Sequence, residues 1–152
     1  MKYLLDAGTL SAALRGRLPV VLKLAELGPG EVAMSVLSRM QVEIGLRTKP
    51  RAQARYARLL KTMGETVRIL EFGQAEAQQA ATLGAYLESG GERIGPMELM
   101  LAAQAMTHRY TLVAEDLAPY RMVTGLNVEN WLAKASDRTS QLTSSIKNKD
   151  LK

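Results

Sequence analysis

Short apolar runs alternate with longer helical stretches along most of this chain, and this alternation limits the folds that it can adopt. We predict strands at Lys2–Leu5, Glu31–Met34, Thr66–Leu70 and Thr111–Ala114, and a short fifth strand at Gly125–Val128. Helical segments fill the intervals between the first four strands. Strands that alternate with helices form parallel βαβ units, so the sequence predicts an α/β domain in which helices flank a central parallel sheet.

Six helices are predicted from the spacing of apolar residues and from the glycines and prolines that begin or end them. They are Leu10–Leu14, Leu18–Leu27, Val36–Leu46, Arg51–Met63, Gln74–Leu87 and a helix from Pro96 to about Arg109. The composition changes after residue 135, where Ser, Thr, Lys, Asn and Gln dominate. We therefore expect one folded domain over residues 1–135 and a polar C-terminal tail over residues 136–152.

The residue types available for chemistry are few. The chain has no cysteine and a single histidine, His108, which excludes a thiol nucleophile, a cysteine-bound metal and a multi-histidine site within one chain. The longest purely apolar run, Leu99–Ala103, is far too short to cross a membrane, and we expect a cytoplasmic protein without a membrane partner. Carboxylates remain the main candidates for chemistry, and they favour hard cations such as Mg²⁺ or Mn²⁺.

Several acidic residues stand where strands end or helices begin. Asp6 follows the first predicted strand, Glu115 and Asp116 follow the fourth, and Glu98 lies in the first turn of the helix that begins at Pro96. Each acid alone is explained by a turn or by the dipole of a helix N-terminus. Because the C-terminal ends of parallel strands meet at one edge of the sheet, their joint placement predicts a carboxylate cluster able to hold one or two divalent cations.

A second charged feature is basic. Between residues 47 and 61 the chain has six basic residues and no acidic one. They are Arg47, Lys49, Arg51, Arg55, Arg58 and Lys61. Such a stretch is either a solvated helix face or a surface that binds the phosphates of nucleic acid, and we take RNA binding as the sharper hypothesis.

Several segments together resemble a known family. In chain order they are Lys2–Asp6, Gly28–Ser35, Ser38–Leu46, Ile94–Ala103, Thr111–Ala114 and Gly125–Leu132. Their order and spacing resemble a PIN-domain protein of the VapC toxin type, from Met1 to about Leu132. The resemblance implies a parallel sheet of strand order 3-2-1-4-5. It also implies a Mg²⁺- or Mn²⁺-dependent ribonuclease that forms a homodimer and is restrained by a small antitoxin of the VapB type.

The resemblance also implies roles for individual residues. Asp6 matches the first acid of the family and Asp116 the fourth, while Gln41 stands where the family has Glu and Glu98 where it has Asp. The resemblance thus makes Asp6, Gln41, Glu98 and Asp116 the site residues, with the three carboxylates as metal ligands. Ala7-Gly8 replaces the Thr-Asn pair that would orient the first acid and its waters.

One nearby acid does not fit this set. Glu43 lies two residues beyond Gln41 and about 200° round the helix, so it cannot take the place of the missing Glu. We predict that Glu43 points away from the site, toward solvent or a basic neighbour such as Arg39 or Arg47.

Three functions remain open at this point. The first is an endoribonuclease toxin in which carboxylate-bound metal activates water for RNA cleavage. The second is a degenerate PIN protein that binds RNA or an antitoxin but whose cleavage is impaired or absent, because Gln41 lacks the family's charge and Glu98 has a longer arm. The third is a receiver-like or small nucleotide-binding α/β domain in which a strand-end aspartate is phosphorylated or binds Mg²⁺. The nucleotide-binding version needs a phosphate-binding loop, and the sequence contains no Gly-x-Gly-x-x-Gly or Walker motif.

Overall fold

The computed structural model describes residues 1–132. Five strands form one sheet: β1 (Tyr3–Leu5), β2 (Val32–Ser35), β3 (Arg68–Leu70), β4 (Thr111–Val113) and β5 (Val128–Glu129). Six α-helices surround it: α1 (Ala7–Leu14), α2 (Leu18–Glu26), α3 (Val36–Arg47), α4 (Pro50–Thr66), α5 (Gln74–Ser89) and α6 (Pro96–His108). The predicted tail, residues 136–152, lies outside the described residues, so the predicted domain boundary stays a prediction.

The sheet has the strand order β3-β2-β1-β4-β5, and every neighbouring pair is parallel. The predicted fold class and strand order are therefore confirmed. A receiver-like domain has the order 2-1-3-4-5, so the observed order excludes a receiver-like domain. β1 is central, which places the end of that strand, and Asp6 after it, in the middle of the sheet's C-terminal edge.

The two faces of the sheet are covered by different helices. Leu4 of β1 faces α5 and α6, where it lies in one core cluster with Leu83 and Leu101. Its neighbours Tyr3 and Leu5 point to the opposite face and pack in another cluster with Ala12 and Val20 of α1 and α2. Because alternate side chains of a strand point to opposite faces, three buried residues of β1 bind both helical layers to the sheet. Among residues 1–132, no helix is long and apolar enough to cross a bilayer.

Some element boundaries differ from the predicted ones for local reasons. Helix α1 begins at Ala7, not Leu10, because Asp6 caps it. Helix α4 continues through Thr66, whose hydroxyl donates to the carbonyl of Thr62, so β3 begins only at Arg68. Gly125 has φ of +86°, a left-handed conformation that ends a turn, so β5 begins at Val128.

Glutamine 104 fixes the position of α6. Its side chain is fully buried, and Nε2 donates to the carbonyl oxygens of Leu70 and Glu71 at 3.1 and 3.0 Å. These bonds attach the middle of α6 to the end of β3. They therefore help to set the position of the N-terminal turn of α6, which contains Glu98.

His108 joins the ends of α5 and α6. Its Nε2 lies 2.6 Å from Oε1 of Glu76, whose other carboxylate oxygen accepts the N–H of Gly73. The sequence indicated only a helix-end residue at His108, because nothing local pairs it with a residue 32 positions away. The hydrogen bond to His108 and the backbone N–H groups hold the pKa of Glu76 below its usual range.

We expect His108→Ala to lower stability mainly above the acid range. A carboxyl whose pKa is lowered on folding contributes stability above its unfolded pKa, and this contribution is lost as the pH falls through the lowered folded value. The variant should lose about 1 kcal/mol of unfolding free energy at pH 7, with a smaller difference from the parent near pH 3. Urea unfolding at both pH values measures this. Equal losses at the two pH values would contradict a charged Glu76 paired with His108.

Candidate active site

Asp6 anchors the candidate site. It follows β1, and its Oδ1 accepts the N–H of Thr9 at 2.7 Å, which caps α1. Its Oδ2 accepts the N–H of Glu115 at 3.2 Å, just beyond the end of β4. One carboxylate thus joins the ends of two neighbouring central strands.

The two other predicted acids come from separate elements. Asp116 lies beyond β4, and its Oδ1 accepts the N–H of Ala118 at 3.0 Å. Glu98 lies in the first turn of α6, and its carboxylate is folded against Gly95, the residue that precedes that helix. The same Gly-x-x-Glu arrangement occurs at Gly73 and Glu76, where it caps α5. Glu98 therefore also interacts with a helix N-terminus.

The charges of the three acids all act on one side chain, that of Tyr120. Its side chain is buried in the turn after Asp116, and burial raises the pKa of its hydroxyl. The charges of Asp6, Glu98 and Asp116 raise this pKa further. Three of the four predicted site residues thus lie close enough to one phenol for their charges to act on it. The sequence did not identify Tyr120, because only the pairing of β1 with β4 and the packing of α6 bring these acids to it.

A further acid lies beside Asp6. The carboxylate of Glu115 packs directly over Gly8, where a Cβ atom would collide with it. The backbone of Glu115 is held on both sides, by Asp6 and by Asn130, whose Nδ2 donates to the Glu115 carbonyl at 3.0 Å. Gly8, where the family pattern has Asn, therefore leaves room for a side chain from the neighbouring strand end.

We expect Gly8→Ala to have different effects on stability in two backgrounds. Alanine normally stabilises a helix relative to glycine by roughly 0.5–1 kcal/mol. In the parent this gain should be lost, because the new Cβ must displace Glu115. In a Glu115→Ala background the same change should stabilise the protein. Chemical unfolding of the four proteins measures the coupling, and equal effects of Gly8→Ala in both backgrounds would contradict the contact.

Gln41 lies in a cleft beside the C-terminal edge of the sheet. It lines a cleft of about 360 Å³ between α1, α3 and α4, together with Gly8. The same cleft is lined by Arg15 and Lys49, and by Tyr56 of α4. Gln41 therefore lies near the start of α1, in the same cleft as the cationic side chains of Arg15 and Lys49. The other three predicted site residues are the ones whose charges act on Tyr120.

Glu43 points away from the carboxylates. Its Oε1 lies 3.2 Å from Nε of Arg39, and its Oε2 lies 3.7 Å from the guanidinium of Arg47. The prediction that Glu43 points toward solvent or a basic neighbour such as Arg39 or Arg47 is confirmed, since it pairs with both arginines. Glu43 therefore does not replace the carboxylate that is missing at position 41.

The six predicted RNA-binding residues are all exposed, from the end of α3 through α4. Arg51, Arg55 and Arg58 follow one another at helical spacing, so they form a stripe on one side of α4. Within residues 1–132, Arg47 is the one member of the six that has a carboxylate partner, Glu43. Lys49 lines the cleft that contains Gln41, so the basic surface continues into that cleft.

The donor set has the chemistry of a Mg²⁺ or Mn²⁺ site, since carboxylate oxygens are the ligands that these hard cations prefer. The three carboxylates are not arranged as a preformed metal site. In the described part of the chain, no three His, Asp or Glu side chains are grouped closely enough to hold a metal ion. Asp6 and Asp116 accept backbone N–H groups, and Glu98 is turned onto Gly95. Asp6, Glu98 and Asp116 therefore have the right chemical type to bind a metal ion. Their side chains would have to rotate before all three could bind the same ion.

Comparison with known proteins places this geometry in a family. The family model for the PIN domain matches residues 3–123. The tRNA(fMet)-specific endonuclease VapC of Shigella flexneri is 21% identical over 131 residues, covering 86% of this chain and 98% of the relative. Ribonuclease VapC2 of Haemophilus influenzae is 23% identical over 132 residues, covering 87% of this chain and 99% of the relative.

A solved structure has the same fold. The DNA-bound VapBC structure from Salmonella typhimurium contains a chain that superposes with a TM-score of 0.76 at 20% identity. The superposition covers 86% of this chain and 98% of that one. At 20% identity the similarity shows a shared fold, the parallel sheet whose central strand β1 is followed by Asp6.

Proposed function

Because this chain belongs to the PIN domain family and is similar to VapC ribonucleases over most of its length, we propose that it is a metal-dependent endoribonuclease, the toxin of a toxin–antitoxin pair. The observation that supports this proposal most is electrostatic. The charges of Asp6, Glu98 and Asp116, from three separate elements, all act on Tyr120 at the C-terminal edge of the sheet.

The proposed roles follow from the chemistry of each residue. Asp6, Glu98 and Asp116 would hold Mg²⁺ or Mn²⁺, which activates water and offsets charge on the phosphate when it is bound. Gln41 would contribute an amide oxygen without charge. The basic residues of α3 and α4 would bind the RNA backbone, since each Lys or Arg can neutralise a phosphate. Lys49 and Arg15, which line the cleft, would bind the RNA strand where it passes through the cleft toward Asp6.

The test is an RNA cleavage assay with the purified full chain. The Shigella relative is named for transfer RNA, so a transfer RNA mixture is the first substrate. We expect discrete cleavage products in Mn²⁺ and none in EDTA. Equal cleavage in both would point to a contaminating nuclease or to a mechanism without metal.

One observation favours a second candidate function. Because no three acidic side chains among residues 1–132 form a metal-holding group and Gln41 lacks charge, the protein could be a degenerate PIN protein that binds RNA or an antitoxin with impaired or absent cleavage. The two candidate functions predict different effects when a carboxylate is restored at position 41.

We expect Gln41→Glu to tighten Mn²⁺ binding by roughly three- to tenfold, about 1 kcal/mol, since it adds a negative charge near the proposed metal ligands. Cleavage should increase only in part, because Ala7 and Gly8 still lack the hydroxyl and amide that orient the first acid. Calorimetric Mn²⁺ titration and a cleavage assay, with the exposed Gln78→Glu as control, measure both. If the parent already cleaves RNA and Gln41→Glu is no better in either assay, the degenerate-site hypothesis is wrong.

We also propose two protein partners. The similar solved structure is a VapBC complex, which supports a small antitoxin of the VapB type as one partner, and a second copy of this chain is the other. Two exposed apolar surfaces are available for them. Leu18 and Leu22 of α2 are 64% and 55% exposed, and Met40 and Ile44 of α3 are 44% and 56% exposed. Light scattering of the chain with and without a co-expressed antitoxin tests both partners.

A further inference from the structure

Tyr120 occupies a fixed position between three elements. It ends the short 3₁₀ turn Ala118–Tyr120, four residues after Asp116. Its side chain is 6% exposed and lies in the core cluster that contains Leu4 of β1, Leu101 of α6 and Ala114 after β4. The ring is therefore held by the same strands and helix that carry the three site acids.

Among residues 1–132, the hydroxyl of Tyr120 has no partner that would prevent it from binding a ligand. Within residues 1–132 it makes no hydrogen bond to another residue. It is not sealed in the core either. Ser38 Oγ and Gln104 Oε1 are the side-chain atoms of the described chain that are both fully buried and unpaired. The phenol thus has a buried ring and a hydroxyl that reaches the edge of the site.

The nearby carboxylates already have other donors. Asp6 accepts the N–H groups of Thr9 and Glu115, and Asp116 accepts that of Ala118. A tyrosine hydroxyl has a pKa of about 10 without any shift, so that of Tyr120 keeps its proton at neutral pH and can donate a hydrogen bond.

A phenylalanine would fill the same space in the core without the hydroxyl. The hydroxyl therefore adds no packing and makes no bond within the described chain. It does add an uncharged donor close to three acidic side chains, whose charges would otherwise repel a phosphate oxygen. The donor is also preorganised, because the buried ring cannot reorient freely.

We propose that Tyr120 donates its O–H to a phosphate oxygen of RNA bound at the ends of β1 and β4, and so positions that phosphate against Asp6, Glu98 and Asp116. This inference rests on the proposed function, and it assigns substrate contact to a residue outside the four site positions. The phosphate binds the phenol as an acceptor, and no covalent bond forms or breaks at Tyr120.

The test compares Tyr120→Phe with Tyr110→Phe. Tyr110 is also buried, at 7% exposure, but precedes β4 at the opposite end of the sheet. At saturating transfer RNA and Mn²⁺, Tyr120→Phe should cut at least tenfold more slowly than the parent, with an unchanged unfolding midpoint. Tyr110→Phe should cut at the parent rate. Cleavage by Tyr120→Phe at the parent rate, or a loss matched by a lower unfolding midpoint, would overturn the proposal.

A second readout does not depend on cleavage. In protein labelled with 3-fluorotyrosine, the resonance that disappears in Tyr120→Phe belongs to Tyr120. We expect this resonance to shift when transfer RNA is added to the parent in Mg²⁺, and an unshifted resonance with bound RNA would overturn the inference alone. A parent that neither binds nor cleaves RNA would overturn the proposed function and this inference together.

Discussion

Asp6→Asn is expected to reduce RNA cleavage by roughly a hundredfold or more, equivalent to about 2.7 kcal/mol of lost transition-state stabilisation. Asp6 is the acid that joins the ends of β1 and β4, and the substitution removes its charge from the centre of the proposed metal site. The folded structure should persist, because Asn is also a good helix cap and can still accept the N–H of Thr9. Its amide nitrogen would face the N–H of Glu115, so we expect a cost of about 1 kcal/mol from that lost bond.

Single-turnover cleavage and urea unfolding of the same preparation separate the two effects. Glu26→Gln is a matched control, since it removes one carboxylate charge from an exposed position at the end of α2. It should cleave like the parent. Cleavage by Asp6→Asn at the parent rate would exclude Asp6 from the reaction.

Reversing the charges of Arg55 and Arg58 is expected to weaken RNA binding by about tenfold or more at low salt. Both side chains are exposed on α4, and within residues 1–132 neither has an acidic partner. The double variant Arg55→Glu/Arg58→Glu removes two groups that can neutralise phosphates. The slope of log affinity against log salt should therefore fall in magnitude by about 1.4, or about 0.7 per phosphate for single-stranded RNA.

A control pair distinguishes local contact from net charge. Arg68→Glu/Arg109→Glu makes the same change in charge at two exposed positions, the first residue of β3 and a residue shortly before β4, at the opposite end of the sheet. Binding measured by fluorescence anisotropy at several salt concentrations should weaken less in this pair. Equal slopes for the parent and Arg55→Glu/Arg58→Glu would favour a solvated helix face that does not touch RNA.

The sheet could be predicted from local sequence because its three inner strands are short, buried and flanked by clear helix signals. Every residue of β1, β2 and β4 is buried, so these strands consist mainly of apolar residues. Boundaries were less predictable where a side chain decides them. Asp6 extends α1 toward its N-terminus, and the hydroxyl of Thr66 keeps that residue in α4.

The site was predictable only in the residues that follow strands or begin helices. Asp6, Glu98 and Asp116 have such positions, and the family resemblance orders them. The contacts of Tyr120 and Glu115 depend on which strands pair and how side chains turn, and these have no signature in local sequence. Gly8 is an example, because the reason for a glycine at this position becomes clear only when the structure shows the Glu115 side chain packed over it.

The chemistry of the new RNA ends tests most directly whether this edge of the sheet hydrolyses RNA. Attack by an activated water leaves a linear phosphate monoester on one new end and a hydroxyl on the other, and does not use the neighbouring 2′-hydroxyl. Mass spectrometry of transfer RNA cut by the parent in Mn²⁺ should therefore find linear monophosphate ends. Ends carrying a 2′,3′-cyclic phosphate, or intact RNA after prolonged incubation, would contradict hydrolysis by the carboxylates of Asp6, Glu98 and Asp116.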